Sequence, residues 1–335
     1  RFDGHWLVEA SETDRRIAKG LPAGNSRAKA DGIETRSGQG DGLIVGLLDP
    51  TRATELGPRP LDWGTASFPY GVVGGRTNVL LTHPTNPAVA WAGSDGGGVW
   101  KTTSCCDAST TWVNTTDNSA TLELIHNSAI GDLTLDPNNP DVLYAGTGDL
   151  RYGSYSFGAN GVLKSIDGGN TWEAKGTDVF NPFYPPSANG VPQYQAIGKV
   201  AVDPNNSNIV VVGAKTGVFL SYDAGDNWTG PCLSNGFTTQ RQDTTGLILS
   251  NLGGGVTRIL AAVGTRGFET AVQPDLNQNG ANGVYTATVP ASGCPTDWAL
   301  VSRGDNGWPA GTGGGAPRPA NTVGRIDLAV APTDL

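Results

Sequence analysis

Two segments of this chain carry the same eight-residue pattern: Ser165-Ile-Asp167-Gly-Gly169-Asn-Thr-Trp172 and Ser221-Tyr-Asp223-Ala-Gly225-Asp-Asn-Trp228. Each segment ends a longer repeat within residues 133–228, and each repeat begins with an apolar run followed by Asp-Pro-Asn-Asn. A repeat of about 40 to 70 residues, built of short strands and tight turns, is typical of a β-propeller in which each copy forms one blade.

The pattern Ser-x-Asp-x-Gly-x-x-Trp suits a tight turn between two strands. Short polar side chains bond backbone N–H groups within turns, glycine adopts positive φ, and tryptophan packs its ring into the blade. An earlier segment keeps a looser version of the pattern, with an aspartate and a tryptophan at the same spacing. We therefore predict a structural role for the residues of these three turns: Ser165, Asp167, Gly169, Trp172, Ser221, Asp223, Gly225, Trp228, Asp107 and Trp112.

Recurring landmarks divide the chain into an arm and a series of blades. Residues 1–56 lack the repeat and predict an N-terminal arm that is irregular or partly helical. Residues 57–335 predict blades at about 64–119, 120–180, 190–235 and 244–303, with a fifth beginning at 323–335. About four and a half four-stranded blades make an incomplete ring, so we expect the remainder of a longer polypeptide or another subunit to complete it.

Composition agrees with an all-β fold and excludes several classes of function. The 335 residues include 49 glycines and 22 prolines, and only 16% are charged, so the chain is poor in helix formers. The net charge of −9 argues against nucleic-acid binding, and no apolar run is long enough to span a membrane. The lack of methionine favours a processed, secreted protein, in which Cys232 and Cys294 can pair, although spacing does not decide the pairing.

The repeat resembles the Asp-box or BNR repeat of sialidases, sortilin-type receptors, xyloglucanases and many secreted bacterial proteins. The resemblance covers about residues 57–335. It is strongest to the opening blades of the secreted bacterial group, through Gly57-Pro-Arg-Pro, Gly75-Arg76-x-Asn78, Gly96-Gly-Gly-Val-Trp-Lys-Thr102 and Ile130-Gly-Asp-Leu-x-Leu-Asp-Pro137. This similarity implies an extracellular Asp-box β-propeller, but a fold of this kind serves several functions.

The resemblance to xyloglucanases implies one candidate catalytic residue, Asp117. In those enzymes a catalytic aspartate comes shortly after the tryptophan that ends the first repeat, and here Asp117 follows Trp112 at a similar offset. Glycoside hydrolysis requires two carboxylates on opposite sides of the scissile bond. The resemblance implies that the second carboxylate comes from outside this chain.

Two aromatic-rich insertions and one acidic loop are candidate binding sites. The insertions span residues 149–160 and 180–195, and their candidate ligand-binding residues are Tyr152, Tyr155, Phe183 and Tyr184, which are equally suited to packing on neighbouring blades. The loop presents Asp275, Asn277 and Asn279 in the alternating order of a calcium loop. Its closing glutamate is replaced by Thr286, so an exposed insertion without calcium is the alternative, and no other cofactor is predicted.

These observations favour a secreted or cell-surface β-propeller that acts as a binding or structural module for a glycan or protein ligand. One alternative is a glycoside hydrolase of the endo-glucanase or xyloglucanase type that uses Asp117. Another is a sortilin-like receptor that captures peptides. The sequence thus favours a non-enzymatic role and leaves catalysis open.

Overall fold

The computed structural model describes a succession of antiparallel sheets. It describes residues 61–62, 72–73, 76–107, 109–117, 129–150, 158–180, 183–184, 193–233, 242–265, 283–302 and 325–329. All of these residues belong to the compact unit Pro60–Leu335. The predicted N-terminal arm, residues 1–56, lies outside the described residues.

Four sheets in the described part of the chain correspond to blades. The first contains β3 (Thr77–Thr82), β4 (Ala90–Ser94), β5 (Gly98–Thr102) and β6 (Val113–Asn114). The second contains β7 (Ile130–Asp136), β8 (Asn139–Thr147), β9 (Val162–Ser165) and β10 (Glu173–Lys175). The third contains β13 (Ile197–Asp203), β14 (Asn206–Ala214) and β15 (Gly217–Ser221), and the fourth contains β16 (Gln242–Asn251), β17 (Thr257–Thr265), β18 (Gly283–Thr288) and β19 (Ala299–Leu300).

Short elements lie before and between these blades. Strand β1 (Leu61–Asp62) pairs with β2 (Val72–Val73), and β11 (Phe183–Tyr184) pairs with β12 (Gln193–Tyr194). A single helical turn, α1 (Thr177–Phe180), follows the second blade and buries Phe180. None of the helices in the described part of the chain has the length and apolar character that crossing a membrane requires.

Within each blade the strands pair in the order in which they occur along the chain. The first, second and fourth sheets are four-stranded antiparallel meanders, whereas the third has three strands and continues into a single bridge between Leu220 and Thr229. Consecutive meanders of this kind are the blades of a propeller. The predicted fold class, an all-β β-propeller of four-stranded blades, is confirmed.

The blades stack through their first two strands. Strand β3 contacts β7, β7 contacts β13, and β13 contacts β16. The second strand of each earlier blade has a glycine where the next blade comes closest, because a Cβ at Gly93 or Gly146 would overlap Ile130 or Ile197. The recurring apolar-Gly ending of the second strands is therefore a requirement of interblade packing.

Apolar clusters fill the spaces between successive blades. Trp91, Leu143 and Trp172 lie between the first and second blades, and Phe180 and Phe219 pack edge to face between the second and third. The corresponding positions of the first strands differ in exposure: Leu133 is 4% exposed, whereas Leu80 is 65% exposed. Among the described residues, no blade packs against the face of the first blade that carries Leu80, whereas the first blade covers the corresponding face of the second.

Residues 325–329 lie beside the first strand of the fourth blade. The hydroxyl of Thr245 bonds both the backbone N–H and the carbonyl of Ile326 at 3.0 Å. A Cβ at Gly246 would come within 2.8 Å of the same carbonyl. This segment therefore occupies the position that the first strand of a following blade has in the earlier blades.

Candidate functional site

The candidate catalytic residue lies at the end of the blades where each first strand begins. We call this the entry end and define it by the first residues of β3, β7, β13 and β16. Each second strand also ends here, and so does β6, which leads through Thr115 and Thr116 to Asp117. The turns that carry the repeated Ser-x-Asp pattern follow the third strands and lie at the opposite end.

The segment 114–117 forms a turn around the amide of Asn114. Its Oδ1 accepts hydrogen bonds from the backbone N–H groups of Thr116 and Asp117, each at 2.9 Å, and from the Thr116 hydroxyl at 3.2 Å. Its Nδ2 donates to the carbonyl of Gly97 at 2.8 Å. Both ends of this one amide are thus used to join the turn to the β4–β5 connection.

Two further contacts hold the same turn from either side. The Thr116 hydroxyl accepts from the backbone N–H of Val99 at 3.0 Å. From the next blade, the Trp172 indole N–H donates to the Thr115 hydroxyl at 2.9 Å. Gly98, with φ of 71°, permits this approach because a Cβ there would overlap the Thr116 hydroxyl.

The carboxylate of Asp117 is half-buried and incompletely bonded. Among the residues that the structure describes, none gives a hydrogen bond to its buried Oδ1 atom. Buried polar atoms are usually paired, and exceptions are often found at functional sites. Within the described ranges, Oδ1 of Asp117 therefore keeps unused capacity to accept a hydrogen bond.

An ion network at the entry end connects the first two blades. Arg76 Nη2 bonds Asp95 Oδ2 at 2.7 Å in its own blade and Asp149 Oδ2 at 2.5 Å in the second blade. Asn78 adds a bond from its Nδ2 to the carbonyl of Ile130, and its Oδ1 accepts from Arg76 Nε at 3.0 Å. The arginine thus spans the junction of two blades and engages two carboxylates that face the same end.

A second buried carboxylate links the second and third blades. Asp132 Oδ2 accepts from the backbone N–H of Val200 at 2.9 Å, and Lys199 Nζ is 3.7 Å from Oδ1. Burial raises the pKa of Asp132, and the lysine charge and the hydrogen bonds oppose this only in part. A buried carboxyl with a raised pKa retains its proton to higher pH than an exposed aspartate.

The repeated turns of the second and third blades share one hydrogen-bond arrangement. In the second blade Ser165 Oγ accepts from Gly169 N–H at 2.8 Å and donates to Asp167 Oδ1 at 2.8 Å. The same Asp167 atom accepts from the backbone N–H of Thr171 at 2.9 Å. Partial burial acts to raise the pKa of Asp167, but the hydrogen bonds from Thr171, Ser165 and Asn170 together hold this pKa below its usual value.

The third blade repeats these bonds through Ser221, Asp223, Gly225 and Asn227. The two tryptophans differ: Trp172 is bonded to the preceding blade, whereas the buried Nε1 of Trp228 has no hydrogen-bond partner among the described residues. The turns are thus alike in their backbone contacts and differ in how their indoles meet the preceding blade.

The first-blade turn is built differently. The strand register places Thr102 in the first blade at the position that Ser165 has in the second. Trp112 follows Thr102 by three residues more than Trp172 follows Ser165. Asp107 Oδ1 accepts from the N–H and hydroxyl of Ser109, which lower the pKa of Asp107. Trp112 is 37% exposed, compared with 6% for Trp172, so this indole is less deeply packed.

Several predicted site residues lie wholly or partly outside the described residues. Tyr152 and Tyr155, in the connection from β8 to β9, are outside them, and for Phe183 and Tyr184 only the backbone pairing is described. The predicted calcium residues Asp275, Asn277 and Asn279 are also outside them. In the part of the chain that is described, no three His, Cys, Asp or Glu side chains converge as a metal site.

Sequence reasoning missed the turn residue Asn114 and the ion network at the entry end. The spacing Asn114-x-x-Asp117 is typical of a turn closed by an asparagine side chain and is the signal that could have identified Asn114. Arg76 stood out only as part of a motif. Its partner Asp149 is 73 residues away, and no local pattern connects the two.

The strand order and interblade packing place this chain among the β-propeller proteins, with Asp117 at the entry end of its first blade. No protein-family model matches the chain. It is similar to a xyloglucanase of Hypocrea jecorina (strain QM6a), with 29% identity over 248 residues. The match covers 68% of this chain and 27% of that protein, so the chain spans about a quarter of its relative's length.

Solved structures of similar fold include two GH74 proteins. An ancestral GH74 enzyme gives a TM-score of 0.33 with 18% identity, covering 73% of this chain and 32% of that one. The GH74 xyloglucanase of Xanthomonas campestris gives 0.33 with 16% identity, covering 66% and 39%. YCF48 from Cyanidioschyzon merolae gives 0.36 with 15% identity, covering 67% and 56%. The fold assignment therefore depends on the strand pairing described above.

Proposed function

We propose that this chain is part of a secreted glycoside hydrolase of the endo-glucanase or xyloglucanase type, with Asp117 as one of two catalytic carboxylates. The similarity to the Hypocrea jecorina xyloglucanase, 29% over 248 residues, carries the proposal. The sequence alone favoured a binding module. The alternative expectation, a glycoside hydrolase, is the one that this relative supports.

The geometry of Asp117 supports this assignment. A catalytic carboxylate must be held in place and still have an oxygen available to protonate a leaving group, activate water or attack the sugar. The backbone of Asp117 is held by Asn114, and the residue is only partly buried, with no hydrogen bond to its Oδ1 among the described residues. These two features are the ones that such a role requires.

The second carboxylate of the proposed site comes from outside this chain. Asp95 and Asp149 share the entry end, but both are bonded to Arg76. A carboxylate oxygen that is bonded to an arginine is not available to contact a sugar unless that ion pair opens. The proposed partner is therefore a carboxylate in the remainder of a longer polypeptide or in another subunit.

The proposal also covers the repeat type and the location of the protein. We assign the turns at Ser165–Trp172 and Ser221–Trp228 to Asp-box repeats, because their serine, aspartate and glycine share one bonding scheme. The disulfide between Cys232 and Cys294 is consistent with secretion into an oxidising compartment.

Replacement of Asp117 tests the proposed activity. The polypeptide that contains this chain should release reducing ends from xyloglucan, and D117N should lower kcat by about 100-fold or more because it removes one of two catalytic carboxyls. The matched control is D107N, which removes an exposed aspartate from the opposite end of the same blade and should leave kcat unchanged.

Binding measurements separate the enzyme from the module. Xyloglucan affinity should be nearly the same for wild type and D117N if Asp117 acts in the chemical step. A wild-type protein that binds xyloglucan without cleaving it would contradict the hydrolase and support the binding module. Capture of peptides, with no affinity for glucan, would instead support the sortilin-like alternative.

A further inference from the structure

We infer that Asn114 is a positioning residue that sets the location of the Asp117 carboxylate. This inference rests on the proposed function, because it assigns Asn114 a task in the same site. It concerns how the turn is built and does not require Asn114 to touch a substrate.

The amide of Asn114 is the centre of the turn that carries Asp117. Three donors from Thr116 and Asp117 converge on its Oδ1 at 2.9 to 3.2 Å. Its Nδ2 is 2.8 Å from the carbonyl of Gly97. One side chain therefore fixes the backbone of the turn and also joins the turn to the β4–β5 connection.

Asp117 depends on this turn because its carboxylate is weakly held. Its backbone N–H is bonded to Asn114, while Oδ1 has no hydrogen-bond partner in the described ranges. With Oδ1 unbonded in those ranges, the backbone turn is the support that the structure shows for this side chain. Misplacement of a reacting group by about 1 Å can cost about 100-fold in rate.

Loss of the Asn114 amide should leave the rest of the blade in place. The Gly97 carbonyl still accepts from the Trp100 indole at 2.8 Å, so this connection keeps a second support. Thr115 still donates its N–H to the carbonyl of Val99 at 2.8 Å and accepts from Trp172. The effect of removing Asn114 should therefore be concentrated on Thr116 and Asp117.

The test compares N114A and N114S with wild type and D117N in the polypeptide that contains this chain. Serine keeps a short oxygen acceptor that can bond a backbone N–H two or three residues ahead, so N114S is the conservative variant. The matched control is N86A, which removes an asparagine that accepts from Ala88 N–H at 3.1 Å in the same blade, at the end opposite Asp117. Xyloglucan is the substrate, and each variant is assayed well below its unfolding temperature.

We expect N114A to lower kcat by about 100-fold, with KM changed by less than about threefold. N114S should recover part of the loss, and N86A should keep the kcat of wild type. A fall in kcat at nearly constant KM, with partial recovery in N114S, is a result that a general loss of stability would not produce.

Two results would overturn the inference in distinguishable ways. If D117N is inactive while N114A keeps kcat within about threefold of wild type, Asp117 is catalytic but Asn114 does not position it. If D117N itself keeps full activity, the proposed function fails, and the inference fails with it.

Discussion

Ala224 shows how a single backbone angle is tied to the contact between two blades. Its φ is 57°, and the corresponding residue of the second blade, Gly168, has φ of 69°. Both residues present a carbonyl to an aromatic side chain of the preceding blade: Trp91 Nε1 donates to Gly168 at 2.9 Å, and Tyr144 Oη donates to Ala224 at 3.2 Å. The left-handed turn is therefore part of the interblade contact, and glycine is the residue that adopts it without strain.

We predict that A224G raises the free energy of unfolding by about 0.5–1 kcal/mol and that G168A lowers it by a similar amount. The cost in G168A comes from the backbone, because a Cβ there would lie 3.4 Å from Lys101 Nζ, which is ordinary contact. Urea unfolding of both variants measures the effect. Destabilisation by A224G would contradict this account and assign the larger effect to packing of the Ala224 methyl group.

At the scale of elements, the first strands of adjacent blades are joined by a buried carboxylate. Asp132 in β7 accepts from the backbone of Val200 in β13, 68 residues further along the chain. Burial is the largest influence on its pKa, which is raised, so the folded protein binds the proton more tightly than the unfolded chain does. The stability that this proton contributes is present below the unfolded pKa and is lost as pH rises through the folded pKa.

We predict that D132N changes the pH dependence of stability with this sign. The amide oxygen still accepts from Val200 N–H but does not titrate, so the unfolding temperature of D132N minus that of wild type should rise from about pH 3.5 to pH 7. Thermal unfolding across this range is the measurement.

For D107N, the unfolding temperature of the variant minus that of wild type should change with pH in the opposite direction. The hydrogen bonds from Ser109 lower the pKa of Asp107, so its contribution appears above the unfolded pKa and is lost as pH falls. The unfolding temperature of D132N minus that of wild type could instead fall with rising pH. In that case the charge of Lys199 outweighs burial, and burial is not the main influence on the pKa of Asp132.

At the scale of the whole molecule, a covalent link crosses from the third blade to the fourth. Cys232 follows the repeated turn of the third blade, and Cys294 lies between β18 and β19 of the fourth. Their Cα atoms are 5.2 Å apart across a sequence separation of 62, which confirms the pairing that the sequence allowed. Close by, Tyr222 Oη donates to the carbonyl of Gly293 at 2.7 Å, so a hydrogen bond and a disulfide join the same two blades.

We predict that replacing both cysteines with alanine lowers the free energy of unfolding by about 2–4 kcal/mol, because the crosslink restricts a long loop of the unfolded chain. The control is C105A/C106A, since adjacent cysteines enclose no loop of comparable length. Urea unfolding under oxidising conditions compares the two double variants. Equal stability losses in both would show that loop length is not the source of the effect.

Repeat spacing predicted the fold because the turn that recurs in the second and third blades is built from local contacts. The bonds from Ser165 to Gly169 and from Asp167 to Thr171 span four residues, so the serine, aspartate and glycine of the turn are visible in a short window of sequence. Asp117 was singled out by the resemblance to xyloglucanases, through its offset from Trp112. The ion network at the entry end could not be predicted, because Arg76 meets Asp149 across a blade boundary that no spacing specifies.

By itself, the sequence determined the all-β class and the repeated turns of the second and third blades, since these depend on residue type and on hydrogen bonds between near neighbours. Only the tertiary structure decided which faces and charges meet. Leu80 and Leu133 hold equivalent places in their blades, yet one is 65% exposed and the other 4%. The physical reason is that burial and ion pairing depend on which sheet packs against which, and that arrangement is a property of the assembled blades.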